Sequence, residues 1–370
     1  MTKKIITVSV ISELTTDQRV IRICTTLYKM GFEVNVIARQ FPDSLPLDDY
    51  PFEAERLHCY FKKGFLQFAE FNTKLFFKLL FVRTDYFLAN DLDALVPNYI
   101  VSGLKKKKLF YDTHEYYTGV PELKNSFKKG VWKFFENWIF PKLPVVYTVN
   151  ESVKNKYEQE YGNKMAVIRN VPVTTKTTTK ILPEHWKGKI ILLMQGIGIH
   201  PGRGGLELLE TMKYLPPNYY LVYIGGGTQW EIIAKMRKEW KLEDRVEMIS
   251  KIPPSELKQY TPLASLGFTL DGFKDINYLF NLPNKIFDYI HAGIPVVATP
   301  IPEVKTIIEQ YQCGICLISQ NPKDIAGQIK ALMNDPQQYQ QFKKNTIPAA
   351  KELCWENEEK KLIAIYRPYL

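Results

Sequence analysis

Three polar residues, Asn284, Lys285 and Asp288, are spaced so that they fall at the front of one predicted helix. Asn281 and Pro283 predict the start of this helix, because proline is tolerated in a first turn whose N–H groups lack partners. A helix N-terminus attracts anions, and a carboxylate one turn further along could bind a diol beside that anion. The spacing therefore fits a nucleotide diphosphate with its ribose. The alternative is an ordinary helix with Lys285 and Asp288 as a solvated i,i+3 pair.

The same segment continues into a helix end and a buried strand. Gly293 is predicted to end the helix, and the β-branched run at residues 295–299 is typical of a central parallel strand. An apolar stripe at helical spacing would bury the helix against a sheet, and it consists of Ile286, Phe287, Tyr289 and Ile290.

Glycine clusters follow two other predicted strands in this half of the chain. Glycine lets the backbone approach a phosphate closely, and an arginine among such glycines can pair with the phosphate through two hydrogen bonds. Arg203 is the arginine in this position, directly before Gly204. Each cluster alone is a weak signal, and together they predict a phosphate-binding edge. The glycines assigned to it are Gly196, Gly198, Gly204, Gly225 and Gly226.

A second polar group lies in the first half of the chain. The predicted strand that begins at Leu109 ends in Asp112, His114 and Glu115, and the strand before it ends at Asp91. Ligands of open α/β sheets bind beyond the carboxyl ends of strands, so this edge is a candidate site. A purely structural histidine is the alternative reading of His114.

These motifs, in this order, resemble the group-1 retaining glycosyltransferases, which are family 4 of the usual sequence classification and have the GT-B fold. Asp288 stands at the second of two acidic positions eight residues apart, and Phe280 occupies the first. Residues 282–285, Leu-Pro-Asn-Lys, match a subgroup of the family, and His-Ala-Gly-Ile-Pro-Val-Val follows in register from His291. Asp17 and Arg19 resemble the first helix of the same family.

The resemblance implies sugar transfer from a nucleotide-diphosphate sugar to a glycan or lipid-linked acceptor, with retention of configuration and no required cofactor or metal. It places His114 near the transferred sugar, Arg203 and Lys285 on the leaving diphosphate, and Asp288 on the ribose. The glycine-rich turns would line the nucleotide together with Asn284. Because Phe280 replaces an acidic residue and a second basic residue is missing near Gly196, a nucleotide-binding sensor without catalysis stays open. A membrane-surface adaptor is a further alternative.

Length and alternation of strand and helix signals predict an α/β protein with two Rossmann-like, doubly wound parallel-sheet domains facing a cleft, the GT-B arrangement. We predict an N-terminal acceptor domain at residues 1–173, a linker at 174–187 and a C-terminal donor domain at 188–344. Residues 345–370 are predicted to be helical and to pack back on the N-terminal domain.

Composition limits the cell compartment and the partners. Five scattered cysteines argue against a disulfide framework, and the pair Cys313 and Cys316 lacks a second pair for a zinc site. The net charge of +10 fits an anionic partner, but no nucleic-acid-binding signature is present. With no signal peptide or spanning segment apparent, the sequence predicts a cytoplasmic protein.

Two segments, residues 64–83 and 126–142, combine phenylalanine and tryptophan with basic residues that include Lys62 and Lys63. Such helices can lie in a lipid interface, so the sequence predicts peripheral contact with the inner face of a membrane. Packing of these aromatic faces on the sheet is the alternative.

Overall fold

The computed structural model describes residues 3–42, 44–62, 64–119, 127–175, 179–273 and 276–370. Its chain forms two compact units. The first comprises the chain up to Asn170 together with Asn357–Leu370, and the second comprises Val171–Glu356.

The first unit is built on a parallel sheet of seven strands in the order β3-β2-β1-β4-β5-β6-β7. This order places the point where the strand sequence reverses between β1 and β4, as in Rossmann-like sheets. The strands are β1 (Ile5–Val10), β2 (Glu33–Gln40), β3 (Glu53–His58), β4 (Tyr86–Asn90), β5 (Lys108–Thr113), β6 (Val145–Thr148) and β7 (Met165–Val167).

The helices of the first unit connect these strands, and the end of the chain adds one more helix. They are α1 (Gln18–Met30), α2 (Phe65–Phe81), α3 (Leu92–Leu104), α4 (Phe127–Ile139) and α5 (Glu151–Tyr161). In the C-terminal segment, the buried Tyr366 stacks on Phe110 of β5 at 4.4 Å between ring centroids. Its hydroxyl lies 3.1 Å from that of Tyr147 in β6. Aromatic packing therefore fixes the chain end to the first sheet.

The second unit has a six-stranded parallel sheet in the order β10-β9-β8-β11-β12-β13. Its reversal point lies between β8 and β11, so loops at the carboxyl ends of these two strands flank the position where such sheets bind ligands. The strands are β8 (Ile190–Gly196), β9 (Tyr219–Gly225), β10 (Val246–Ser250), β11 (Leu266–Thr269), β12 (Val296–Ala298) and β13 (Gly314–Cys316).

Helices cover both faces of the second sheet, and each face has its own hydrophobic core. Phe287 belongs to the core on one face, and Leu208 and Ile329 belong to the core on the other. The helices of the second unit are α6 (Gly205–Thr211), α7 (Trp230–Glu239), α8 (Pro254–Tyr260), α9 (Ile276–Leu279), α10 (Lys285–His291), α11 (Pro302–Tyr311), α12 (Pro322–Met333) and α13 (Pro336–Glu352). The last helix, α14 (Trp355–Tyr366), lies in the first unit from Asn357 onward.

The prediction of two parallel-sheet, Rossmann-like α/β domains is confirmed, and the boundaries of several elements differ. The helix predicted from Pro283 begins at Lys285, preceded by the separate short helix α9. The first helix starts at Gln18 because the Asp17 side chain accepts a hydrogen bond from Val20 N and caps it. β3 was not predicted, because its sequence, Glu-Ala-Glu-Arg-Leu-His, contains no run of hydrophobic residues.

The compact units divide the chain at different residues from those predicted. The described part of the predicted linker, residues 174–175 and 179–187, lies in the second unit, where Trp186 is buried in the core. Residues 345–352 belong to α13 of the second unit, and the first unit resumes at Asn357. Residues 176–178 of the linker, Lys63, and residue 126 of the second aromatic segment lie outside the described residues.

Over the part of the chain that the structure describes, every helix is too short or too polar to span a bilayer.

Candidate functional site

Arg203 and Asp271 lie in the two loops that flank the reversal point of the second sheet. Arg203 follows β8 and Asp271 follows β11, and Arg203 Nε is 3.9 Å from Asp271 Oδ1. The Asp271 carboxylate is buried, and its other oxygen accepts a 2.6 Å hydrogen bond from Asn281 Nδ2. The Arg203 guanidinium also lies over the Tyr278 ring, 4.9 Å from its centroid. These contacts hold an arginine at the edge where the sheet topology predicts a ligand.

Two polar atoms of this pair are buried without a hydrogen-bond partner among the described residues, Arg203 Nε and Asp271 Oδ1. Leaving such groups unpaired costs free energy, so the arrangement favours an additional polar ligand. A buried polar group without a partner calls for a physical explanation, and a bound ligand is one.

Lys285 adds a second cation to this group. Burial lowers the pKa of its ammonium, the charge of Arg203 lowers it further, and the carboxylate of Asp271 acts in the opposite direction. Two basic side chains thus interact with one buried carboxylate, and the net positive charge of the three groups attracts an anion. We call Arg203, Asp271 and Lys285 the cation cluster.

The front of α10 differs from the sequence prediction in its geometry. The helix has seven residues, and the exposed Asn284 precedes it without a side-chain cap bond. A terminus of this length supplies little field by itself, so the positive charge of the site comes chiefly from the side chains of Lys285 and Arg203.

Asp288 is oriented by a buried neighbour on β8. Gln195 Nε2 donates a 3.1 Å hydrogen bond to Asp288 Oδ2, and Thr261 Oγ1 donates a 2.9 Å bond to Gln195 Oε1. Both Gln195 and Thr261 are buried. The carboxylate predicted to bind a diol is therefore held in a fixed direction.

The predicted glycines divide into two kinds. A Cβ at Gly204 would lie 2.2 Å from Leu270 Cβ, and one at Gly225 would lie 2.0 Å from Gly196 O, so close packing requires glycine at both positions. Gly196 has φ +125°, which only glycine adopts readily. The other two glycines have room for a side chain. A Cβ at Gly198 would contact the Arg203 guanidinium at 3.4 Å, and a Cβ at Gly226 would meet no atom within 4 Å.

Backbone hydrogen bonds join the loops after β8 and β9. Gly226 N donates to Gly196 O at 3.1 Å, and Ile199 N donates to Gly226 O at 3.0 Å. The two glycine turns thus form one rigid surface with an open position at Gly226, where a ligand could approach the backbone.

His114 lies in the first unit between two carboxylates. Its Nδ1 is 3.0 Å from Asp91 Oδ2, and its Nε2 is 3.3 Å from Asp112 Oδ2, out of line for a hydrogen bond. Burial lowers the pKa of His114, but the charges of Asp91 and Asp112 outweigh it and raise that pKa well above the ordinary value. The two carboxylates therefore favour the imidazolium form of the side chain.

Asp17 and Arg19 form a helix cap and a charge pair within the first unit. Asp17 caps α1, and the buried Arg19 donates two hydrogen bonds to Asp112, of 2.8 and 2.6 Å. Its remaining nitrogen donates to Ile168 O at 2.6 Å. Arg19 thus neutralises Asp112 inside the protein.

Sequence reasoning missed Asp271, Asn281 as its partner, and the role of Gln195. Asp271 directly follows a predicted strand, so its place at a carboxyl end was the available signal. For Gln195 the sequence held no signal, because its partners Asp288 and Thr261 are far away along the chain.

The structure brings together Arg203, Lys285 and the glycine turns in the second unit, and it places His114 in the first. Within the described ranges, no three His, Cys, Asp or Glu side chains are grouped in a way that could hold a metal ion. Asp91 and Asp93, which have metal-ligand spacing in sequence, form no such group.

Two sequence families match separate parts of the chain. The model described as "Glycosyl transferases group 1" matches residues 187–348, and the one described as "Glycosyltransferase Family 4" matches residues 17–171. The chain belongs to the group-1 glycosyltransferases of the GT-B fold.

Individual similar proteins agree with this assignment. D-inositol 3-phosphate glycosyltransferase of Acidothermus cellulolyticus is 22% identical over 173 residues, which are 45% of this chain and only 37% of that protein. The sucrose-phosphate synthase structure from Thermosynechococcus elongatus has a TM-score of 0.79, 15% identity and 99% coverage of both chains. Anabaena Alr3699/HepE in complex with UDP-glucose has a TM-score of 0.78 and 16% identity, with 98% of this chain and 99% of that chain covered.

Proposed function

We propose that this protein transfers a sugar from a nucleotide-diphosphate sugar to a glycan or lipid-linked acceptor. The observation that carries the proposal is the cation cluster at the reversal point of the second sheet, where Arg203 and Lys285 share one buried carboxylate. A diphosphate would supply the negative charge that this cluster lacks. The UDP-glucose complex of the similar Anabaena protein supports the choice of donor class.

In the proposed reaction, negative charge develops on the diphosphate as its bond to the sugar breaks. Arg203 and Lys285 are cations already in place where that charge appears, and such preorganised charge lowers the barrier. Neither group has to be brought in from solvent at that moment. No metal ion or cofactor is required in this scheme, because the two side chains neutralise the leaving group.

Asp288 binds the ribose hydroxyls in this proposal, with Asn284 and the open backbone at Gly226 beside the nucleotide. His114 of the first unit positions the transferred sugar. In the imidazolium form that its neighbours favour, it donates hydrogen bonds to the sugar. We assign no nucleophilic carboxylate, and retention of configuration by a hexosyltransferase rests on the family resemblance.

Turnover of the donor tests the proposal. Wild-type protein incubated with UDP- and GDP-sugars should hydrolyse or transfer at least one of them, and Arg203→Ala should lower kcat by about 100-fold. The control is Arg237→Ala on α7, where the guanidinium donates to Glu243 O within its own surface turn. The anomeric configuration of the first product, read by NMR, tests retention. Donor binding without any turnover across acceptors would instead favour the non-catalytic sensor.

We further propose that the first unit contacts an anionic membrane surface. The ends of α2, α3 and α4 lie together, because Lys105 Nζ donates to Val82 O at 2.6 Å and Tyr99 packs edge-to-face on Trp138 at 5.4 Å. We call the exposed residues there the aromatic end; they are Phe77, Phe81, Leu104, Phe134 and Trp138, with Lys106, Lys107 and Lys142 around them.

Apolar rings surrounded by lysines are the composition that binds anionic lipid head groups. Such contact would bring the protein to a lipid-linked acceptor.

A further inference from the structure

We propose that Gln195, supported by Thr261, is a positioning residue that makes this site selective for ribonucleotides. The inference rests on the proposed function, since it concerns the nucleotide that the donor carries. It begins from the buried chain of hydrogen bonds from Thr261 through Gln195 to Asp288.

The charge of Asp288 fixes the direction of these hydrogen bonds. An ionised carboxylate only accepts hydrogen bonds, so the Gln195 amide must turn its NH₂ toward Asp288. Its carbonyl oxygen then faces the Thr261 hydroxyl, which can donate its hydrogen to Gln195 Oε1. Thr261 Oγ1 is also 2.9 Å from Leu257 O, so these two acceptors share its single hydrogen. Only one orientation of the Gln195 amide satisfies all three groups.

The platform under Asp288 is rigid. Tyr289, the next residue of α10, is buried, and its hydroxyl accepts from Gln195 N at 3.2 Å and lies 3.1 Å from Phe268 O. The Tyr289 ring fills the space that a Cβ at Gly267 would occupy, 2.3 Å away. α10 is thereby fixed to β8 and β11 on either side of the reversal point.

Precise placement matters here because the acidic residue is aspartate. Its side chain is one methylene shorter than glutamate, so it has less freedom to adjust to a ribose diol. A carboxylate held by Gln195 in advance loses little entropy when it accepts the hydroxyls. The ligand class that gains from this arrangement is a nucleotide with both ribose hydroxyls.

The test is the ratio of affinities for UDP and its 2′,3′-dideoxy analogue, or for the guanosine pair if UDP does not bind. Wild-type protein should bind the ribonucleotide about tenfold more tightly. Gln195→Leu and Thr261→Val should reduce this ratio toward one by weakening ribonucleotide binding while leaving dideoxy binding unchanged. Thr211→Val, a buried threonine on α6 bonded to Glu207 O, is the matched control and should leave the ratio at the wild-type value.

The outcomes separate the two proposals. If wild-type protein binds neither nucleotide, the proposed function fails and this inference fails with it. If it binds both equally well, or if the Gln195 and Thr261 variants weaken both by the same factor, only the positioning role is overturned. Thr261→Val, which removes one hydroxyl at nearly constant volume, answers the question should Gln195→Leu fail to fold.

Discussion

His114, which we propose positions the transferred sugar, is also placed to contribute to stability. Its imidazolium lies between Asp91 and Asp112, and Asp112 is itself paired with Arg19. Asp93 and Glu115 also face this group. The charged form is thus favoured by the fold before any substrate is present.

A pH dependence follows from the raised pKa of His114. The unfolded chain releases the proton near pH 6.5, so the stabilisation is complete below that pH and is lost as the pH rises through the folded-state pKa. The unfolding free energy of wild type minus that of His114→Gln should therefore decrease above pH 6.5, by up to about 1.4 kcal/mol per pH unit. Urea denaturation of both proteins between pH 6 and pH 9 measures this. A difference that stays constant would show that the imidazolium contributes nothing.

Site residues could be predicted from the sequence where neighbouring residues mark their position. Arg203, Lys285 and Asp288 carry sequence patterns of their own, and the structure places them at the edge of the second sheet. Asp271 was not singled out, because its importance arises from proximity to Arg203 across a sheet. Local spacing contains no information on such a pairing.

At the scale of elements, the loops after β8 and β9 combine glycines that packing requires with one that it does not. Gly204 has φ +75° and lies against Leu270, so Gly204→Ala should destabilise the protein by about 2–4 kcal/mol through backbone strain and overpacking. Thermal or urea unfolding would detect this loss.

Gly226→Ala is the matched comparison, since its Cβ would meet open space. We expect it to leave stability within about 0.5 kcal/mol of wild type and to weaken nucleotide binding, because the methyl group would stand where the nucleotide approaches. An unchanged nucleotide affinity would place the ligand away from this turn.

Alternation of strand and helix signals was sufficient to predict both sheets, while element ends required the structure. α10 begins two residues later than predicted, and its first turn is closed by bonds from Ile286 N to Pro283 O and from Phe287 N to Asn284 O. β3 carries three charged residues and few apolar ones, and it lies at the edge of the sheet, where pairing with β2 decides the conformation. Such pairing is a tertiary effect that outweighs local propensity.

At the scale of the whole molecule, we propose that the aromatic end of the first unit contacts an anionic bilayer. Phe81 in the aromatic end is 85% exposed. Phe81→Glu should reduce binding to vesicles of phosphatidylglycerol by about tenfold or more, because it removes apolar area that would enter the bilayer and adds repulsion.

Co-flotation measures this binding, with neutral phosphatidylcholine vesicles as the lipid control. Ile318→Glu in the second unit, at a site 87% exposed, is the protein control and should bind like wild type. Equal flotation of all three proteins, or binding to neutral vesicles alone, would exclude the aromatic end as a membrane contact.

The proposed function requires that the cation cluster binds a diphosphate. Calorimetric titration of wild type and Arg203→Ala with nucleoside diphosphates and monophosphates tests it directly. Wild type should prefer UDP over UMP, or GDP over GMP, by about tenfold or more, and Arg203→Ala should remove that preference. If wild-type protein binds both phosphates equally, or if Arg203→Ala keeps the preference, the diphosphate does not lie on this cluster.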